Sequence, residues 1–115
     1  MTTPLTTFEQ ATKLKEAGFD WEVKTHFVVN IPNAKKADKL LCPTLDEAVR
    51  WLREVKGIHV GVEPDYVYIL GLWNVVLFRK VSTNQYEILD SIDGYNTYNE
   101  ALSEGINVAL LHVKP

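Results

Sequence analysis

Three segments of the chain open with a threonine that is followed three residues later by glutamine or glutamate, at Thr7, Thr44 and Thr97. In this arrangement the hydroxyl and the later side chain can each accept a hydrogen bond from free amides of a first helical turn. After each threonine, hydrophobic residues recur at three- and four-residue spacing, which predicts a helix with one apolar face. The predicted helices are Phe8–Ala17 with a stop at Gly18, a second helix from Leu45 to a stop at Gly57, and Tyr98–His112.

Between the second and third helices the hydrophobic period changes to two, as in a half-buried strand. From Ile58 onward, aliphatic residues alternate with His59, Gly61 and Glu63, which would face away from the core. The other predicted strands are Tyr66–Leu70, Asn74–Val81 and Tyr86–Ile92, with an additional strand near Lys24–Ile31 ahead of a loop at Pro32–Asp38.

The order of these elements determines the predicted architecture. The chain runs in the order helix, strand, helix, several strands and helix. This order lacks the regular alternation of strands and helices found in a parallel doubly wound sheet. Short links between the later strands favour antiparallel neighbours. We therefore predict an α+β fold, a two-layer sandwich in which three helices pack on one face of a mainly antiparallel sheet of about four strands.

Composition narrows the class of protein. The chain has 115 residues, 46% of them hydrophobic, which suffices for one core but not for two ordinary domains, so we expect a single domain spanning residues 1–115. A net charge of −3 makes nucleic acid a disfavoured partner. The single cysteine, Cys42, favours a reducing compartment and hence the cytoplasm. The longest apolar run, Tyr66–Trp73, is far shorter than the roughly 20 residues of a membrane span, so no membrane insertion is expected.

Residues that could bind metal or catalyse a reaction are scattered along the sequence. The three histidines fall on three different predicted elements, and no two of the histidines and Cys42 have the one-turn spacing common in zinc sites. Asp90 and Asp93 precede Gly94 without the alternating ligand spacing of a calcium loop, and a strand-end turn explains them. We expect neither a metal site nor a cofactor.

Cys42 lies just before the second helix, where free amides and the helix dipole could stabilise a thiolate. Pro43 removes one of those amides, and no partner base lies nearby in sequence. We interpret Cys42 as a semi-buried apolar residue, with a catalytic nucleophile as the less favoured alternative.

Aromatic residues are numerous for a small domain, and four of them form the predicted surface patch. Tyr66 and Tyr68 would share one face of a strand, and Trp73 follows shortly after. Trp51 lies on the flank of the second helix's apolar stripe and is expected at the rim of the contact between helix and sheet. These rings either cover the second face of the sheet as ordinary structure or form an interface.

Three stretches combine these helix starts and stops in order along most of the chain. They are Leu14–Asp20; then Pro43–Leu45 with Trp51–Glu54 and Lys56–Val60; and finally Tyr98–Leu102 with Gly105–Ile106. Together they resemble a group of small proteins of unknown activity that are encoded by gut bacteria and their phages or prophages. The middle of the chain, Glu63–Asn96, does not match that group residue by residue. The resemblance implies an intracellular phage-type accessory protein and supplies no catalytic or cofactor residues.

Two functional hypotheses remain open at this point. The first is a non-enzymatic protein-binding module, which could self-associate through the aromatic sheet face or the strand edge around Tyr66–Leu70. The second is a small hydrolase or nuclease-like enzyme that uses His59 with Glu63, Asp65 or Asp90.

Overall fold

The structure, a computed structural model, describes residues 4–29, 38–65 and 71–113. These residues form three helices and five strands, which confirms the predicted α+β class. In chain order the elements are α1 (Phe8–Glu16), β1 (His26–Val29), β2 (Asp38–Leu41), α2 (Leu45–Val55), β3 (Ile58–Pro64), β4 (Trp73–Ser82), β5 (Gln85–Tyr95) and α3 (Tyr98–Leu111).

The predicted capping threonines begin all three helices. Thr7 Oγ1 accepts a hydrogen bond from the Gln10 amide at 3.1 Å, and Gln10 Oε1 accepts one from the Thr7 amide at 2.9 Å. Thr44 and Glu47 make the same reciprocal pair at the start of α2, at 3.2 and 2.9 Å. Thr97 Oγ1 accepts a bond from the amide three residues later at 3.1 Å. The caps satisfy amides that have no partner within the helix, which explains why each helix begins where the sequence predicts.

The helix ends also follow the sequence. Gly18 and Gly57 adopt positive φ values of 102° and 70°, a conformation that L-residues with a side chain rarely adopt. After Gly18 the chain folds back, and the Phe19 amide donates to the Leu14 carbonyl at 2.9 Å. No helix in the described ranges is long and apolar enough to cross a membrane.

The described strands form two antiparallel sheets. One contains β1 and β2, and the other has the order β3-β4-β5. Within the described residues the strands are therefore divided between two sheets, whereas the sequence pattern predicts a single sheet of about four strands. The sequence pattern does not predict β2, since it places Asp38 at the end of a loop and gives residues 39–41 no element. The predicted strand Tyr66–Leu70 lies outside the described residues.

The hydrophobic core lies between the helices and the three-stranded sheet. Val75 and Leu77 of β4 are fully buried, as is Ile106 of α3. Helix α3 packs on β3 and β4, α2 packs on β3, and α1 packs on β2 and α3. At Gly105 the backbone of α3 approaches the sheet so closely that an added Cβ would lie 2.7 Å from a Val60 methyl group. One face of the three-stranded sheet is thus covered by helices.

The prediction that Trp51 lies at the rim of the helix and sheet contact is wrong. Its side chain is 1% exposed and belongs to the hydrophobic core. The reason is the chain that follows α1, because the ring of Phe19 packs edge-on against that of Trp51, with centroids 5.4 Å apart. The flank of α2 that would face solvent in isolation is therefore covered.

Candidate functional site

The second face of the β3-β4-β5 sheet, which we call the outer face, points away from the helices. Side chains alternate along a strand, and since Val75 and Leu77 point into the core, Val76, Phe78 and Lys80 point to the outer face. The strand register then defines the face. His59, Phe78 and Ile88 form one row across the sheet, Lys80 and Tyr86 form a second, and Gly61, Val76 and Ser91 form a third.

Three rings on this face form an aromatic cluster of His59, Phe78 and Tyr86. The imidazole of His59 stacks on the ring of Phe78, with centroids 4.8 Å apart and an interplanar angle of 15°. The ring of Tyr86 meets both edge-on, at 5.9 Å from His59 and 5.4 Å from Phe78. The aromatic cluster joins all three strands, so its geometry is fixed by the sheet and not by a loop.

Solvent reaches the outer face most freely along β5. Ile88 is 70% exposed and Tyr86 is 56% exposed, and no helix of the described residues packs on this side. The pairing of β3 with β4 ends at Ile58 and Arg79, so the last residues of β4 pair with β5 as a two-stranded ribbon. This ribbon of β4 and β5 extends beyond the end of β3, and its side chains include exposed apolar ones.

Two cations lie close enough to His59 to affect its titration. Burial lowers the pKa of His59 below its ordinary value of 6.5, and the charges of Arg53 and Lys80 lower it further. The imidazole is therefore mainly neutral at pH 7, which suits its stacked position on the phenylalanine ring.

Strand β5 carries the opposite charge. Glu87, Asp90 and Asp93 lie on it, and it contains no basic residue. Glu87 is opposite Arg79 of β4, whereas Asp90 is opposite the uncharged Leu77. Both pairs lie on the side of the sheet that faces the helices, because Leu77 points into the core. Along Tyr86–Asp90 the edge of the sheet is thus acidic on the side that faces the helices and apolar on the other.

The predicted patch residues are not brought together by the described part of the structure. Tyr66 and Tyr68 lie outside the described residues. Trp51 is buried in the core, so it cannot contribute to a surface. Trp73 is half-buried, and its ring meets that of Tyr98 edge-on at 5.5 Å.

Sequence reasoning placed His59 on the solvent side of β3 but missed its partners. Alternation along β4 does indicate that Phe78 faces away from the core, because the neighbouring Leu77 faces into it. Their contact depends on the pairing of β3 with β4, which no local pattern reveals. The exposed Ile88 was missed for the same reason, since its row is set by β4 and β5 pairing.

Two acidic residues of the enzyme hypothesis, Glu63 and Asp90, do not converge with His59. Glu63 shares the outer face with His59 but lies four residues along the same strand, about 13 Å away at the rise of a β-strand. Asp90 is on the other side of the sheet. Among the described residues, no group of three or more His, Cys, Asp or Glu side chains could hold a metal ion.

The turn predicted at Asp90, Asp93 and Gly94 is also wrong, since β5 runs through all three residues to Tyr95. The pairing with β4 becomes irregular there. Gly94 has a φ of 95°, and its amide donates to Asn74 Oδ1 of β4 at 3.2 Å. The irregularity therefore occurs within a strand that stays paired.

Cys42 lies beside a cavity of about 910 Å³ between residues 4–5, residues 22–25 and the start of α2. The thiol is buried, and Sγ lies 3.3 Å from the Thr6 carbonyl oxygen, to which it donates. Thr6 Oγ1 is 3.7 Å from the same sulfur. The side chain is 1% exposed, so Cys42 is more deeply buried than the predicted semi-buried position, and its contacts with Thr6 fit the interpretation as an apolar residue of the core.

Comparison with known proteins does not assign this site: no protein family matches the chain, and no curated protein or solved structure matches it at a significant level.

Proposed function

We propose that this protein is a non-enzymatic binding module that docks another protein on the outer face of its three-stranded sheet. The observation that carries the proposal is the apolar surface of Phe78, Tyr86 and Ile88, which no helix of the described residues covers. Exposed apolar surface on a rigid element is typical of protein interfaces, where phenylalanine and tyrosine are also enriched.

The arrangement of the rings favours a protein over a nucleic acid. Bases stack on aromatic side chains that leave a ring face free. The rings of His59 and Phe78 are nearly parallel and each covers one face of the other, so a base could insert between them only by separating them. The net charge of −3 also opposes a phosphate backbone.

The size of the outer face favours a short or transient partner over a second copy of this chain. Three strands at the usual spacing, with lengths of 7, 10 and 11 residues, give a face about 14 Å wide and about 23–36 Å long, or roughly 300–500 Å². A stable dimer of ordinary size buries about 800 Å² on each partner. Self-association through this face alone would therefore be weak.

A cytoplasmic location and an accessory role in a phage or prophage are also part of the proposal. They rest on the single cysteine and on the sequence resemblance described above. The enzyme hypothesis has less support, because His59 and Asp90 lie on opposite sides of the sheet.

The proposal can be tested with a peptide-display library selected on the immobilised protein. Peptides that are enriched on the wild type are then measured on two variants, Ile88→Lys and Leu111→Lys. Leu111 is a matched control, because it is an exposed aliphatic residue at the end of α3, 76% exposed against 70% for Ile88. Neither substitution disturbs the core.

We expect Ile88→Lys to weaken the enriched peptides at least tenfold, about 1.4 kcal/mol, while Leu111→Lys leaves their affinity unchanged. Enriched peptides that bind both variants like the wild type would contradict the proposal. A selection that enriches no peptide would also count against it.

A further inference from the structure

The edge of β5 that does not pair with β4 indicates the conformation and the charge of the partner, which the outer face alone does not. Within the described residues β5 pairs only with β4, so the backbone groups on its other side have no strand partner. Such an edge can accept an extended segment as an additional strand, in which main-chain hydrogen bonds supply affinity and alternate side chains supply specificity. This step rests on the proposed function, because the added strand would extend the outer face.

The side chains of β5 determine which strand would fit. From Tyr86 to Ile88 the pairing with β4 is regular, with a register shift on each side of this stretch, and Tyr86 and Ile88 point to the outer face while Glu87 points to the other side. A strand laid against this edge continues that alternation. Its residues next to Tyr86 and Ile88 would lie on apolar surface, and the residue between them would lie beside a carboxylate.

Charge disfavours a second β5 as this partner. A copy of β5 would bring a second set of Glu87, Asp90 and Asp93 to the same edge, and it has no basic side chain to pair with them. Like charges placed opposite one another destabilise paired strands. A lysine or arginine in the added strand would instead face Glu87 and lie near Asp90, whose neighbour on β4 is uncharged.

We propose that the edge of β5 binds an extended peptide segment in which apolar residues alternate with basic ones. The apolar residues continue the surface of Tyr86 and Ile88, and the basic residue between them pairs with Glu87. The segment becomes the fourth strand of the β3-β4-β5 sheet.

The test uses three capped, labelled peptides of about nine residues. The first alternates valine with lysine, the second alternates valine with glutamate, and the third repeats the first with every second backbone amide N-methylated on its pairing edge. Affinity is measured by fluorescence anisotropy, and the binding site is mapped by amide chemical shifts of the labelled protein. The protein variants are Glu87→Lys with Asp90→Lys, and Leu111→Lys as the control.

We expect the valine and lysine peptide to bind, with the largest shifts at the amides from Gln85 to Ser91. Its affinity should fall at least tenfold on the Glu87→Lys and Asp90→Lys variant and stay unchanged on Leu111→Lys. The glutamate peptide and the N-methylated peptide should both bind at least tenfold more weakly than the first. These results together would establish strand addition with a charge preference.

Equal binding of the N-methylated peptide would overturn the proposal, because attraction to the acidic residues would then suffice. Equal binding of the glutamate peptide, or no binding of any peptide at millimolar concentration, would overturn it as well. If no peptide binds, the acidic side chains of β5 serve only to prevent other strands from pairing with its edge. If library peptides sensitive to Ile88→Lys shift only the amides of His59 and Phe78, the docking face stands and the strand addition fails.

Discussion

Replacing Gly105 with alanine should destabilise the protein, although the same change usually stabilises a helix. An alanine Cβ at this position would lie 2.7 Å from Val60 Cγ1 and 2.9 Å from Val75 Cγ1. Both distances are shorter than van der Waals contact. Both valines are β-branched, which restricts their χ1 rotation, and Val75 is fully buried in a packed core, so the added methyl group has little room.

Two effects of opposite sign determine how much Gly105→Ala changes the free energy of unfolding. Alanine gains about 1 kcal/mol over glycine from helix propensity. Added methyl groups in a packed core cost about 1–3 kcal/mol, and two contacts below 3.0 Å place this site in the upper part of that range. We therefore expect a net loss of about 1–2 kcal/mol in the free energy of unfolding. With a urea m-value typical of small domains, the midpoint should fall by roughly 1 M.

Urea unfolding followed by far-UV circular dichroism measures this change. A Val75→Ala variant with and without Gly105→Ala completes a double-mutant cycle, and the alanine at 105 should cost less when the valine methyl groups are gone. An increase in stability of about 1 kcal/mol in the single variant, as helix propensity alone would give, would refute the close approach of α3 to the sheet.

Other predictions concern the helix junctions and the aromatic cluster. Gln10 is 2% exposed, and its Nε2 donates at 3.0 Å to Asn107 Oδ1, to Ser103 Oγ and to the Ser103 carbonyl oxygen. Gln10→Ala should therefore lower the free energy of unfolding in urea by about 1–3 kcal/mol. A loss below about 0.5 kcal/mol would contradict the buried network. Thr44→Ala should lower the melting temperature more than Thr97→Ala, because a reciprocal capping box is present only at α2 of these two helices, and the reverse order would count against that difference. The pKa of His59 is below 6.5 in the folded protein, so the unfolded chain takes up the proton first as the pH falls. The free energy of unfolding should therefore decline from about pH 7 until the pH passes the folded pKa. His59→Gln should flatten this part of the melting temperature profile, whereas an unchanged slope would be inconsistent with a desolvated imidazole.

Helix boundaries could be predicted from the sequence because the interactions that fix them are local. A capping threonine and the residue three positions later are close in the chain and in space, as at Thr7 and Gln10. The positive φ of Gly18 and Gly57 likewise follows from residue type alone. The solvent-facing position of His59 followed from alternation within one strand.

Features that depend on distant residues could not be predicted in the same way. Trp51 is buried because Phe19, which follows another helix, packs on its ring. The aromatic cluster depends on the register that places Phe78 beside His59 and opposite Ile88. Alternation along β4 predicts the side of the sheet on which Phe78 lies, but the pairing register decides which residues of β3 and β5 flank it, and no local signal fixes that register.

The most direct test of the account is a structure of the protein bound to a peptide selected for loss of binding on Ile88→Lys. We predict an extended peptide hydrogen-bonded along β5, with apolar side chains on Tyr86 and Ile88 and a basic side chain beside Glu87. A peptide seated in the cavity beside Cys42, or on the helical side of the molecule, would contradict the claim that the outer face of the sheet is the docking surface.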